Sequence, residues 1–166
     1  LASVAPSIAL FALFQGVQLN LFDVRDPAAP AVLQRVLVGK RGSTTALLRH
    51  PHAYSQLQAP GANLQFALPA RVHDGEEPQY GDGDWAWYPW SWSGLLRYEL
   101  RGSGASARLA ALPSLVAERQ PGSTPEFGAS QAFDPAADTA RSVLFEQGTL
   151  YVGNGRFWHL DAAGMQ

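Results

Sequence analysis

The chain has 166 residues, 46% of them apolar, which suits one domain with a single sizeable core. Its formal net charge of −2 leaves no clustered excess of cation to displace counterions from phosphate, which argues against nucleic acid as a partner. Cysteine is absent, so disulfides, thiolate metal sites and cysteine nucleophiles are excluded.

The opening, LASVAPSIALFALF, is apolar but has no basic flank and is too short to span a bilayer. It reads as a first or buried strand and not as a signal peptide or anchor. The sequence starts at Leu1 and stops at Gln166 just after a turn, and a piece of a longer protein is expected. No segment beyond about ten residues keeps helical apolar spacing free of Pro and Gly. Strand signals recur instead. In GVQLNLFDV, Val17, Leu19 and Leu21 alternate with Gln18 and Asn20, and RDPAAP ends the run because its X-Pro steps force extended or turn backbone. AVLQRVLVG follows and closes on Gly39, which predicts a hairpin. Residues 73–84, HDGEEPQYGDGD, read as an acidic, Gly-rich loop, and residues 119–140 as a Pro-, Ser-, Ala- and Gly-rich loop or insertion. The last passage predicts three strands, at 142–145, 149–152 and 156–160, with turns at Gln147-Gly148 and Asn154-Gly155. Asn-Gly between alternating runs is a strong hairpin signal, because a type I′ turn needs positive φ at both centres.

LNLFDVRDPAAPAVL, LLRYELRGSGASARLAAL and GRFWHLDAAG each set an aromatic residue in an alternating strand before a polar turn, a weak internal repeat. Repeated antiparallel four-stranded meanders set radially are the blades of a β-propeller. The expected fold is therefore all-β, with residues 1–166 forming one region of about three to four blades at roughly 40 to 50 residues each. A β-sandwich or small barrel fits short strands and frequent turns equally.

Three segments, GVQLNLFDVRDPAAPAVL, GKRGSTTALLRHPHAY and NLQFALPARV, resemble in their order the bacterial secreted proteins that carry a C-terminal β-propeller domain. The shared pattern falls first on Leu21, Phe22, Asp23, Val24, Asp26 and Pro27. It continues on Arg41, Gly42, Ser43, Ala46, Leu47, His50 and Tyr54, and ends on Phe66, Ala67, Leu68 and Pro69. The match covers residues 16–70. Lys40 and Thr45 stand where acidic residues are common, so no acid or metal role is carried over to them. The resemblance implies a propeller and an exported protein, periplasmic or at the cell surface, in a family with no established reaction. A complete propeller has about four to eight blades, so further blades of the same protein or of another chain are expected partners.

Four of the five tryptophans, Trp85, Trp87, Trp90 and Trp92, fall within GDGDWAWYPWSWSGLL. Period two places Trp85 and Trp87 on one strand face, and Trp90 and Trp92 together on a face beyond the Pro89 kink. Such rings either fill the gap between blades or, with Tyr88, form a platform for a sugar ring or a protein segment. Asp74, Glu76, Glu77, Asp82 and Asp84 supply hard oxygen donors. A calcium site on Asp82 and Asp84 is weighed against a solvated acidic loop, since EF-hand spacing is absent. His50 and His52 could share a face as zinc ligands do, but Pro51 between them favours a structural role, with His50 bonded to Ser43 or to a neighbouring strand. His159 reads as an ordinary blade histidine. No nucleophile elbow, His-Glu-x-x-His or phosphate-loop spacing is present, so no catalytic residue is assigned and the reading leans away from an enzyme. The expected function is a binding or scaffold module that recognises a carbohydrate or protein partner through the Trp-rich surface, with no membrane span and no cofactor other than calcium. The alternative is a hydrolase of a cell-envelope polymer with Asp82, Asp84 or Asp23 as acid and base.

Overall fold

The computed structural model describes residues 16–59, 61, 63–119, 139–153 and 155–161. The expected strand at the start of the chain, most of the 119–140 loop and Asn154 of the last turn lie outside them. The described residues form strands and short 3₁₀ turns in three antiparallel sheets, none closed into a barrel.

The first sheet is the predicted hairpin, β1 (Val17–Asp23) with β2 (Ala31–Val38), paired from Val17↔Val38 to Asp23↔Ala31 with a bulge at Leu21/Phe22. Its apolar set alternates as read: Val17, Leu19, Val36 and Val38 turn inward, and Gln18, Asn20 and Arg35 face water. The second sheet is the largest. Its strands are β3 (Thr44–Thr45), β4 (Ser55–Leu57), β5 (Leu64–His73), β6 (Trp90–Arg101) and β7 (Arg108–Arg119). β5, β6 and β7 form a meander, and β3 and β4 both pair with the outer edge of β5. Pro69 is accommodated there because residues 46–53 leave the sheet between β3 and β4, and Thr45 Oγ1 donates to the Pro69 carbonyl at 2.7 Å within that gap. The third sheet is the predicted terminal meander, β8 (Arg141–Phe145), β9 (Gly148–Gly153) and β10 (Arg156–Asp161).

The sheets stack face on face. Leu68, Ala70, Val72, Leu96 and Tyr98 on one face of the second sheet meet Val17, Leu19, Val36 and Val38 of the first. Ala67, Leu95 and Leu115 on its other face meet Leu144, Tyr151 and Leu160 of the third. Ala140, at the end of the predicted 119–140 insertion, is packed into this second core. Because the middle sheet is covered on both faces, Gly94 to Tyr98 are buried without a break, as in strands that never meet water. Gly94 sits at a bulge of β6 where an added Cβ would collide with the Leu115 carbonyl oxygen, so only glycine permits the backbone approach.

Candidate functional site

The tryptophan-rich segment lies where the chain leaves β5 and returns as β6. It is not a strand before Trp90. Trp85 belongs to a 3₁₀ turn, Gly83–Trp85, whose Trp85 N–H donates to the Asp82 carbonyl at 3.0 Å. Trp87 forms a lone antiparallel bridge with Tyr80. The shared face expected for Trp85 and Trp87 is thus absent, because the Gly81 and Gly83 backbone, at φ of +76° and +50°, turns the chain instead of extending it.

Trp90 and Trp92 do not share a face either. Trp90 pairs with His73 and Trp92 with Val72, so Ser91 is an extra residue bulged out of β6, and the period of two is broken there. Trp92 packs into the core between the first and second sheets. Trp90 faces the other way, with the Arg71 guanidinium 5.4 Å from its ring and its Nε1–H donating to Ser93 Oγ at 3.0 Å.

The remaining aromatics meet cations from Lys40 and Arg41, just after β2. The Arg41 guanidinium lies 5.2 Å from the Trp85 ring and 5.1 Å from the Trp87 ring, so one cation bridges both indoles. Trp87 also stacks on Tyr80, with centroids 5.9 Å apart and planes 18° apart. Lys40 Nζ sits 4.3 Å over the Tyr88 ring and donates to the Gly75 carbonyl at 2.8 Å. Backbone bonds lock the same segments together: Lys40 N–H to His73 O at 2.6 Å, Tyr88 N–H to Arg41 O at 3.3 Å, and Gln79 N–H to Trp87 O at 2.6 Å. The loop is therefore held from several directions at once.

His73, the first residue of the expected acidic loop, is instead the last residue of β5 and the buried pivot of this assembly. Its ring is fully buried, its Nδ1 lies 2.7 Å from the Tyr88 carbonyl, and its Nε2 has no hydrogen-bond partner. Its backbone N–H donates to Ser43 Oγ at 2.9 Å, and Ser43 Oγ–H is directed at the His73 carbonyl at 3.3 Å. The structural role expected for His50 with Ser43 thus belongs to His73. His50 and His52 are exposed around a 3₁₀ turn, Pro51–Ala53, because Pro51 and the preceding Ala46–Leu48 turn keep that segment out of the sheet, and they share no strand face. His159 is an exposed residue of β10 whose ring stacks on Phe145 at 5.9 Å.

Asp74, Glu76, Glu77 and Asp82 are exposed, and the side chain of Asp84 lies outside the described residues. Among the described residues no three His, Asp or Glu side chains gather as metal ligands. Asp23 ends β1, away from the loop in sequence and in a different sheet. Its carboxylate takes a bidentate ion pair from Arg25, at 3.0 Å from Nε and 2.6 Å from Nη2, and this bond holds its pKa down to about 2. A carboxyl so fully ionised is poorly matched to proton donation at neutral pH. Among the described residues, no helix is long and apolar enough to cross a membrane.

Antiparallel meanders stacked face on face, with an aromatic–cation cluster at the β5–β6 connection, define an all-β blade-type architecture. Residues 4–158 match the family model of the β-propeller domain, and the chain belongs to that family. No curated protein and no solved structure shows a significant match.

Proposed function

We propose that this β-propeller region is a binding or scaffold module of an exported bacterial protein, and that its recognition surface for a carbohydrate or protein partner centres on Trp85. The observation that supports this reading is the contrast within the cluster: Trp87, Tyr88, Trp90 and Trp92 are half-buried, whereas Trp85 is 61% exposed. A large indole left in water on an anchored turn gains free energy when a partner covers it, and the fixed turn spares most of the ordering entropy of binding.

The scaffold part of the proposal concerns the third sheet. Its inner face is packed on the second sheet, while Val143, Val152 and Phe157 on the outer face are 57%, 43% and 76% exposed. Arg141↔Val152↔Phe157 and Val143↔Leu150↔His159 are cross-strand rows, which puts these apolar groups on one surface. A further blade of the propeller is the partner that such a surface fits, because it would repeat the sheet-on-sheet packing already present twice.

The test is a panel of soluble glycans and peptides measured against the chain and its Trp85→Ala variant. The reading predicts at least one ligand whose affinity falls on loss of the indole, with folding unchanged. Ligands that bind both proteins equally, or no ligand at all, would overturn it.

A further inference from the structure

The chemistry of the ring contacts narrows the class of partner, on the assumption that Trp85 is a recognition residue. Four rings of the cluster are met by cations: Trp85 and Trp87 by Arg41, Tyr88 by Lys40 and Trp90 by Arg71. Three of these rings are half-buried, and Trp85 is the exposed one. The segment that leads into it, residues 74–84, carries five carboxylates, Asp74, Glu76, Glu77, Asp82 and Asp84, and no basic side chain. The four of them whose exposure is described all face solvent.

We infer that Trp85 and this acidic loop form a docking site for an arginine-bearing, basic segment of a partner protein, with one guanidinium stacked on the indole and its neighbours paired to the loop carboxylates. A guanidinium suits both halves of the site. It is planar and weakly hydrated, so it lies flat on an indole, and its N–H fork pairs with carboxylates. A neutral sugar would use the ring and gain nothing from the carboxylates, which would stay hydrated. The charges of Arg41, Lys40 and Arg71 oppose the incoming cation and are outnumbered by the five loop carboxylates, so the interaction depends strongly on ionic strength, because exposed charges are screened beyond about 8 Å at physiological salt.

The experiment is isothermal titration of the full chain with three probes: a blocked hexapeptide alternating arginine and glycine, the same peptide with citrulline for arginine, and chitotetraose. The arginine peptide is expected to bind, and the neutral citrulline isostere to bind at least about ten-fold more weakly. Trp85→Ala should lose about ten-fold in affinity while Trp85→Phe keeps part of it, and Glu76→Gln with Glu77→Gln should lower both the affinity and its salt dependence. Equal binding of the two peptides, or binding of chitotetraose alone through Trp85, overturns the cationic preference and leaves Trp85 as a recognition residue. No binding of any probe, or binding indifferent to Trp85→Ala, overturns both.

Discussion

His73 Nδ1 lies 2.7 Å from the carbonyl oxygen of Tyr88. A carbonyl only accepts, so Nδ1 carries the proton and the buried Nε2 is a bare acceptor with no donor opposite it. Protonation would place a second N–H where no hydrogen-bond partner meets it, and a charge in a buried site. Burial, and to a lesser degree the nearby Arg71 charge, lower the His73 pKa below its ordinary value of 6.5, against the raising influence of the Tyr88 carbonyl and of Asp74. The folded state thus binds the proton less readily than the unfolded chain. Stability is fully present above pH 6.5 and is lost as pH falls through the unfolded value toward the folded one. Chemical denaturation between pH 8 and pH 5 should show this decline, and His73→Gln should flatten it. A slope identical in the variant would place the titration elsewhere.

Gly42 packs directly against the same ring. Its φ is +111°, and an added Cβ would lie 2.8 Å from His73 Nδ1. Gly42→Ala therefore combines a strained backbone with a clash against a fully buried side chain, and should destabilise by about 2 kcal/mol or more. Thermal unfolding measures this. Gly155→Ala, where no atom lies within 4 Å of the added Cβ, isolates the backbone part of the effect.

Trp92 and Trp85 should separate cleanly by substitution. Trp92 is packed among Leu96, Tyr98 and their neighbours, and Trp92→Ala should lower stability by about 3 kcal/mol. Trp85→Ala removes an exposed ring and one of two indole contacts of Arg41, and should change stability by less than about 1 kcal/mol. Equal losses in urea denaturation would make Trp85 a packing residue.

Phe157→Ser tests the outer face of the third sheet. The side chain is 76% exposed, so the isolated chain should keep its melting temperature. Self-association in sedimentation velocity, or assembly with a further blade, should weaken in the variant, since the most exposed large apolar side chain of that face is lost.

What the sequence made legible follows the faces of the sheets. The β1–β2 hairpin was readable because one of its faces meets water, so Val17, Leu19, Gln18 and Asn20 alternate. The β8–β10 meander was readable for the same reason, although its first turn falls on Glu146 and Gln147. Gly148 belongs to β9, where an added Cβ would collide with the Leu160 carbonyl oxygen, so this glycine serves close strand packing and not the turn. β6 hid its period because both of its faces are buried. The tryptophan cluster was visible as composition, but its partners Lys40, Arg41 and Arg71 come from segments distant along the chain, and no local pattern points to them. His73 gave no signal at all, since its burial arises only when the Lys40–Ser43 turn folds over it.

The sandwiching of the second sheet sets an order of opening. Water reaches the buried middles of β5 and β6, residues 67–70 and 94–98, only after the first or third sheet has lifted away, whereas the strands of the outer sheets open first. Under native conditions the slowest-exchanging amides should therefore lie between Leu95 and Tyr98, and the protein should loosen from its two ends inward, layer by layer.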